Sequence, residues 1–372
     1  MAGAPGAVTL FGMALLDPLL PFAPFLDPVL DPLTVRATRA LKDWVGDPPL
    51  RHEHARARER VLEDVIARRG AEISALGPAV RRRDGHAIQR FDAAIADVLA
   101  ELRGEAEERL AGTRFERIAH AIDRVVYANT PEWLDDPAFD RELRVRTLDR
   151  LDRLNEALGN YDAFFGAIEP AIARAWAAGV KQPTIVDLAS GHAMFAVALA
   201  LRFGAREGRV RVVATDLAPE YLEIGRARAR SLSIGEDALS FMPHDALDLR
   251  DLGDKVGGSI DVVTCTQTLH HFPPGMVARL FAEASSVARH GAVLVDAERN
   301  PIALLTVTGV AGALGRGSVP FLHDSFVSIR RMFTEQELAL VGMLAPQGDG
   351  EPTRKIERGW LAPGHVFIRT TA

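Results

Sequence analysis

The sequence predicts an α/β fold, an open sheet of mostly parallel strands preceded by an all-helical region. Three observations carry that expectation. Thr184 to Phe195, TIVDLASGHAMF, is an apolar run that ends in an acid and turns through small residues into a second apolar segment, the strand, loop and helix with which a nucleotide-binding sheet begins. Further β-branched runs follow it at the intervals expected of strands alternating with helices. From Thr34 to about Leu154, by contrast, long charged and alanine-rich stretches have little β-branched character.

At the N-terminus, Ala7 to Leu16 (AVTLFGMALL) is apolar, and Leu19 to Leu33 carries repeated prolines. A basic segment before the apolar core and a small-residue cleavage site after it are both missing, so a signal peptide is not expected. Asp17, Pro18, Pro21, Pro24, Asp27 and Pro28 interrupt the apolar stretch, and no transmembrane segment is expected. The Asp-Pro steps at 17, 27, 31 and 47 read as helix starts or turns in a segment that packs onto the main domain or a homodimer partner, with interfacial membrane contact as the alternative. His86 to Leu110 places Ile88, Phe91, Ile95, Val98, Leu99 and Leu102 on one helical stripe. Thr130-Pro131-Glu132 reads as a helix start, with a capping threonine, proline at the first position and an acid near the positive end. The basic runs Arg56 to Arg60 and Arg81 to Arg83 are interleaved with Glu53, Glu59, Glu63 and Asp84, which favours a solvated helix face over an anionic partner.

The strands follow in order. After the first, Arg209 to Asp216 (RVRVVATD) is a second, whose terminal carboxylate is positioned to accept both hydroxyls of a ribose. Leu239 to Asp245 (LSFMPHD) is a third, ending where Asp245 and the backbone of Ala246 could meet an adenine amino group. Ser259 to Thr266 (SIDVVTCT) is a fourth, followed by Gln267, Thr268, Leu269, His270, His271 and Phe272, and His290 to Glu298 (HGAVLVDAE) is a fifth. Thr334-Glu335-Gln336-Glu337 caps a helix to Met343, and Lys355 to Trp360 with His365 to Thr370 reads as a closing hairpin. The first loop lacks the G-x-G-x-x-G spacing of a dinucleotide site, which points away from NAD.

In their order and spacing these segments resemble the class I S-adenosylmethionine-dependent methyltransferases over roughly residues 155 to 372. The glycine-rich first motif of that family corresponds to Asp187-Leu188-Ala189-Ser190-Gly191-His192-Ala193, its ribose acid to Asp216 next to Leu217, its adenine-side acid to Asp245, and its fourth-strand segment to Thr266 through Phe272. The resemblance implies a Rossmann-like seven-stranded mixed sheet, with an antiparallel last strand. It implies S-adenosylmethionine as cofactor, held by Tyr161, Asp187, Ala189, Gly191, Asp216, Leu217, Asp245, Ala246 and Thr266. Leu151 to Ile168 resembles a linker helix over the cofactor, which puts Asn155, Gly159, Asn160 and Tyr161 near its methionine end. The chain departs from the family at Ala189 and Ala193, where glycine is usual. A Cβ there costs little if φ stays negative, and obstructs close ligand approach or positive φ otherwise.

The expected organisation is residues 1–154 as a helical cap or dimerisation region and residues 155–372 as the methyltransferase domain. A sulfonium methyl is already activated, so transfer mainly needs the acceptor held near attack distance, with a base if the nucleophile must lose a proton. His270 and His271 follow the fourth strand and are the candidate bases, whereas His244, His323 and Asp324 are weaker ones. Glu298 and Arg299, beside Asp296 at the sheet's carboxyl edge, are expected to bind substrate. An apolar helix is expected from Ile302 to Leu314. The expected function is methyl transfer to a small organic acceptor, such as a natural-product hydroxyl. The alternatives are protein or RNA methylation, or a cofactor-binding protein without catalysis. A charge of -6 over 372 residues lowers the prospect of nucleic acid as substrate. The single cysteine, Cys265, fits an inert core residue in a reducing cytoplasm, and no Cys/His spacing predicts a metal site.

Overall fold

The computed structural model describes residues 49–109, 127, 132–136, 138–299, 319–351, 354–362 and 364–371. The apolar N-terminal segment, Thr130-Pro131 and the expected helix 302–314 lie outside the described residues. Three helices come first, α1 (Pro49–Ser74), α2 (Gly77–Arg81) and α3 (Gly85–Arg109), and after a short 3-10 turn (Trp133–Asp135) come α4 (Arg141–Leu158) and α5 (Asn160–Ala177). Directly after Glu132 the described chain forms a short 3-10 turn, where the sequence predicts a helix start. The alternating half follows as β1 (Thr184–Leu188), α6 (Met194–Arg202), β2 (Arg211–Asp216), α7 (Pro219–Ser231), β3 (Leu239–Pro243), α8 (Leu252–Val256), β4 (Val262–Thr266), a 3-10 turn (Leu269–His271), α9 (Pro274–Val287) and β5 (Gly291–Ala297). The chain closes with α10 (Val319–Arg331), α11 (Glu335–Met343), β6 (Lys355–Leu361) and β7 (His365–Thr371).

These strands make one seven-stranded sheet in the order β3-β2-β1-β4-β5-β7-β6. The first five are parallel, and β7 runs antiparallel to both β5 and β6. This is the Rossmann-like mixed sheet that the sequence predicts. The chain leaves β1 toward β2 and β3 on one side and returns to β4 and β5 on the other, so the crevice beyond the carboxyl end of β1 is the topological switch point, where open α/β sheets take their ligands.

Side-chain alternation divides the strands between two cores. Ile185, Val212, Val262, Val293 and Val295 face a layer with α5, α6 and α7, while Val186, Val213, Val263 and Leu294 face one with α9 and α11. The second layer continues outward into α1 and α3, through Val61, Leu62, Val65, Ile73, Phe91, Ile95, Val98, Leu99 and Leu102. The stripe on α3 is therefore a buried face that packs onto the sheet half of the chain, and Arg279 clamps it there by donating to both carboxylate oxygens of Asp92 at 3.2 and 3.1 Å. Arg81, Arg82 and Arg83 pair with Glu283, Asp349 and Asp248, so this run serves intramolecular contacts more than a solvated face. Cys265 is fully buried on β4, and burial pushes its thiol pKa up.

Two glycines shape the site. Gly159, at φ +69°, ends α4 in the left-handed region and turns the chain directly into α5. The expected linker helix is thus two helices, and a boundary between 154 and 155 falls inside α4. Gly225 on α7 lets that helix approach the first loop, since a Cβ there would lie 2.7 Å from the Cβ of Ala193 and 2.9 Å from the His192 carbonyl oxygen. At the other end of the chain, Thr334 and Glu337 form a reciprocal capping box at the start of α11, as predicted.

Candidate active site

The loop after β1 owes its shape to hydrogen bonds between neighbouring strand tips. Ser190 N–H donates to the Thr215 carbonyl at 2.8 Å, Ser190 Oγ donates to the Asp187 carbonyl at 2.8 Å, and Thr215 Oγ1 donates to the same carbonyl at 3.1 Å. Asp216 accepts the Gly191 N–H at 2.8 Å on one carboxylate oxygen and the Ala218 N–H at 2.9 Å on the other. The cost of this path falls on two alanines: Ala189 sits at φ +49° and Ala193 at φ +57°, flanking Gly191 at φ +53°. The condition under which a Cβ costs little, negative φ, is therefore not met at either position. All three small residues are left-handed, because successive reversals are needed to point the loop's N–H groups across the sheet edge.

A cavity of about 330 Å³ opens at this edge. One end is lined by Asp187, Ala189, Gly191, Asp216 and Thr266, with Tyr161, Phe195 and Tyr221 as aromatic walls. The other end is lined by Glu132, His270, His271, Asp324, Ser328 and Met332. Between the two ends stand Thr147, Leu148, Leu151 and Asn155 of α4, together with Gln267 and Thr268 after β4. Asn155 donates to Gln267 Oε1 at 2.7 Å, and Gln267 donates back to Asn155 Oδ1 at 3.1 Å. That amide pair ties the α4 cover to the tip of β4 and holds Gln267 at φ +54°.

Asp187 is buried, and its Oδ1 has no hydrogen-bond partner. Burial pushes its pKa up to about 7, against the Ser190 hydrogen bond. Tyr161 donates its hydroxyl to Asp152, is ringed by Phe164, Phe165 and Phe195, and has its pKa raised by burial and by that carboxylate. At the far end His270 lies between two acids. Its Nδ1 is 2.9 Å from Asp296 Oδ2, its Nε2 is 3.5 Å from Glu132 Oε1, and its own backbone N–H donates to Asp296 at 2.9 Å. Burial opposes the imidazolium, but Asp296 and Glu132 outweigh it and raise the His270 pKa to about 10. The same attraction lowers the pKa of Asp296 and of Glu132 against the opposing effect of burial.

The expected site residues divide accordingly. Tyr161, Asp187, Ala189, Gly191, Asp216, Thr266, His270 and His271 converge on the cavity. Leu217, Asp245 and Ala246 do not line it; Leu217 is exposed, and Asp245 accepts the Leu247 N–H in a local turn. Arg299 is a correction. It is buried away from the cavity, donating to both oxygens of Glu337 at 2.8 and 2.6 Å, with Arg103 2.7 Å from the same carboxylate. Glu298 lies beside it, its N–H donating to the Gly364 carbonyl. The chain turns at the edge of β5 so that Asp296 faces the cavity and Arg299 a structural ion cluster. His270 holds a proton near neutral pH, its pKa raised to about 10 between Asp296 and Glu132, so service as a base or as a ligand requires that Nε2 first give up that proton. His244 stands apart beside Lys255 and Asp251. His323 stacks on Trp133 with ring centroids 3.8 Å apart, and Asp324 lines the cavity while accepting the Trp133 and Leu134 N–H groups. Glu132 and the pairing of Asp296 with His270 were missed. An acid next to a histidine-bearing strand tip was visible, but the return of residue 132 to that tip depends on tertiary structure.

A doubly wound parallel sheet with an inserted antiparallel β7 and an acid at the tips of β1 and β2 defines the class I methyltransferase architecture. Residues 185–291 match the family model described as a methyltransferase domain. That segment is a methyltransferase domain, an enzymatic unit that takes S-adenosylmethionine as its methyl donor. No curated protein sequence matches the chain. Among solved structures, the plantazolicin methyltransferase BamL is 12% identical, with 64% of this chain and 92% of that chain covered at a TM-score of 0.43. An O-methyltransferase family protein from Burkholderia thailandensis is 17% identical, covering 62% and 60% at 0.42. The magnesium protoporphyrin IX methyltransferase from Synechocystis PCC 6803 is 16% identical, covering 72% and 98% at 0.37. Superpositions this partial carry nothing about the acceptor.

The cavity suits this cofactor. The carboxylate of Asp216 sits where a ribose would meet the β2 tip, the unpartnered Oδ1 of Asp187 can receive a cationic group, and Tyr161 offers an aromatic wall to a sulfonium. When bound, S-adenosylmethionine supplies the activated methyl group.

Proposed function

We propose that the protein transfers a methyl group from S-adenosylmethionine to a small organic acceptor, with a hydroxyl as the favoured nucleophile. The observation that carries this reading is the continuity of the cavity, which runs from the β1 and β2 tips to a chamber walled by Glu132, Leu134, α4 and α10. A cavity of about 330 Å³ favours a small acceptor over a macromolecule, and the pairing of Arg81, Arg82 and Arg83 with acids of the same chain weakens the case for that run as an RNA-binding face. The acceptor oxygen is placed at the Glu132, His270 and His271 end, where the proton it must lose meets carboxylate and imidazole. Asp187 and Asp216 bind and orient the cofactor, and α4 with the Asn155–Gln267 pair excludes water from the path between the two ends. The single buried thiol goes with a reducing, cytoplasmic setting.

The test is incubation of full-length protein and S-adenosylmethionine with panels of phenols, aliphatic alcohols, amines, peptides and RNA, reading S-adenosylhomocysteine release and methylated product by mass spectrometry. Turnover confined to small hydroxyl compounds is expected. Turnover on peptide or RNA alone would replace this reading with the macromolecular one. Cofactor binding with no turnover on any panel would favour a binding protein without catalysis, in which the two left-handed alanines narrow the loop.

A further inference from the structure

The acceptor end of the cavity gathers three metal-ligand side chains from distant parts of the chain. Glu132 precedes the 3-10 turn before α4, while His270 and His271 belong to the 3-10 turn after β4. His270 Nε2 is 3.5 Å from Glu132 Oε1, His271 Nε2 is 3.9 Å from Glu132 Oε2, and one ligand atom from each residue lies within 4.8 Å of the others. Ligand atoms held about 2.0–2.2 Å from one ion stand roughly 3–3.5 Å apart, so small side-chain rotations close the set. From this geometry we propose that Glu132, His270 and His271 form a site for one divalent transition-metal ion that binds the acceptor's oxygen.

The surroundings have the form that a metal site needs. Asp296 holds the Nδ1 side of His270 and so turns Nε2 toward the cavity, and Asp296 is itself fixed by the backbone N–H groups of His270 and Ala297 at 2.9 and 2.8 Å. Ser328 Oγ donates to Glu132 Oε1 at 2.6 Å and orients that carboxylate. Two imidazoles select an ion of the Zn²⁺, Fe²⁺ or Co²⁺ kind over Mg²⁺ or Ca²⁺, which prefer all-oxygen sites. Three protein ligands leave the remaining coordination positions facing the cavity. Arg331, 3.8 Å from Glu132 Oε1, opposes a cation here, and Glu132 together with Asp296 offsets a double positive charge.

The role of the ion rests on reading the cavity as an acceptor chamber. An acceptor hydroxyl bound to the metal loses its proton to water at a lowered pKa. Its oxygen then attacks the methyl carbon, the O–C bond forms as the S–C bond breaks, and the electron pair stays on sulfur to give S-adenosylhomocysteine.

The experiment uses tag-free full-length protein stripped with chelator, titrated with Co²⁺ followed by visible absorption and with Zn²⁺ followed by calorimetry. One ion per chain is expected, with affinity weakened at least tenfold in both Glu132→Gln and His271→Ala. His290→Ala, a histidine that faces Asp261 outside the cavity, should bind metal as wild type does. Circular dichroism melting of each variant verifies folding, and part-exposed His271 supplies the milder substitution. Absence of stoichiometric uptake, or uptake unchanged in both variants, overturns the metal site. Metal-free protein that methylates its acceptor at full rate overturns the role of the ion while leaving the methyltransferase reading intact.

Discussion

Replacing Ala189 and Ala193 by glycine should have unequal effects, and the structure says which way each goes. An L-residue in the left-handed region costs roughly 1–2 kcal/mol, and both alanines sit there, at φ +49° and +57°. Glycine relieves that strain but adds unfolded-chain entropy worth about 0.4–1 kcal/mol. At Ala189, half-buried on the cavity wall, little else changes, so Ala189→Gly should stabilise the protein by about 0.5–1 kcal/mol. At Ala193 the methyl group is fully buried and faces Gly225 of α7. Losing it forfeits about 0.8 kcal/mol of burial, plus the cost of any cavity left behind. Ala193→Gly should therefore be neutral or slightly destabilising. Urea unfolding compared at equal m-values reads both differences, and calorimetry with S-adenosylhomocysteine should show affinity within a few-fold of wild type. An Ala189→Gly protein less stable than wild type would refute the strain argument. A large gain in cofactor affinity would show that the alanines obstruct the ligand.

Three further outcomes follow from the site. Asp216→Ala removes a carboxylate that holds the Gly191 N–H and faces the ribose position; with hydrogen bonds to a charged group worth about 1.5–3 kcal/mol each, S-adenosylhomocysteine should bind more than tenfold more weakly, and an unchanged Kd would remove Asp216 from the cofactor site. In chelator-treated protein, His270→Leu takes the imidazolium from between the buried acids Asp296 and Glu132, which keep their backbone N–H, Ser328 and Arg331 contacts, and should cost about 3–5 kcal/mol by urea unfolding. Because the folded-state pKa of His270, about 10, lies above its ordinary 6.5, that stabilisation is complete below pH 6.5 and fades as pH rises through 10, so a gap between wild type and variant that does not narrow at alkaline pH would contradict the assignment. Deleting residues 1–110 uncovers the apolar faces of α9 and α11 that α1 and α3 bury, and the truncated chain should aggregate or bind a hydrophobic dye; a soluble, dye-silent product would make these helices an independent module.

The sheet was legible because β1, β2, β4 and β5 are short runs rich in β-branched residues with a polar residue at or near the tip, and because buried parallel strands need no partner information to be recognised. The acids at β1 and β2 were legible for the same reason, since strand tips bring them to one edge whatever the register. The loop conformation was not, because alanine usually reports negative φ and only the hydrogen bonds from Ser190, Thr215 and Asp216 force it left-handed. Glu298 and Arg299 failed on a local question of direction. Both follow the same strand, yet Arg299 finds Glu337 on α11, a partner set by tertiary packing. The carboxylate at 132 was read as part of a helix start. Nothing in its neighbours along the chain foretells His270 and His271 as its partners, because that contact exists only once the segment before α4 is folded back over the sheet.

Asp187 links the fold to the cofactor in a way that pH exposes. Its carboxyl is almost wholly buried, and burial raises its pKa from 3.8 to about 7. In the empty protein the folded state therefore binds more protons than the unfolded state between those values, and stability falls as pH rises from about 4 to 7. A ligand that brings positive charge to the unpartnered Oδ1 reverses the preference, since it binds the ionised carboxylate better than the neutral acid. Affinity for S-adenosylmethionine should then rise with pH through about 7 and level off above it. At the acid end it should fall by up to about tenfold per pH unit, the limit set by uptake of one proton. Calorimetry from pH 5.5 to 8.5, in buffers of differing ionisation enthalpy, counts the protons released on binding. Asp187→Asn, which keeps the shape and removes the titration, should bind more weakly than wild type at pH 8 and show a flat profile. If wild-type affinity did not change across pH 7, or if the asparagine variant kept the same dependence, Asp187 would not be the group that meets the cofactor's positive charge.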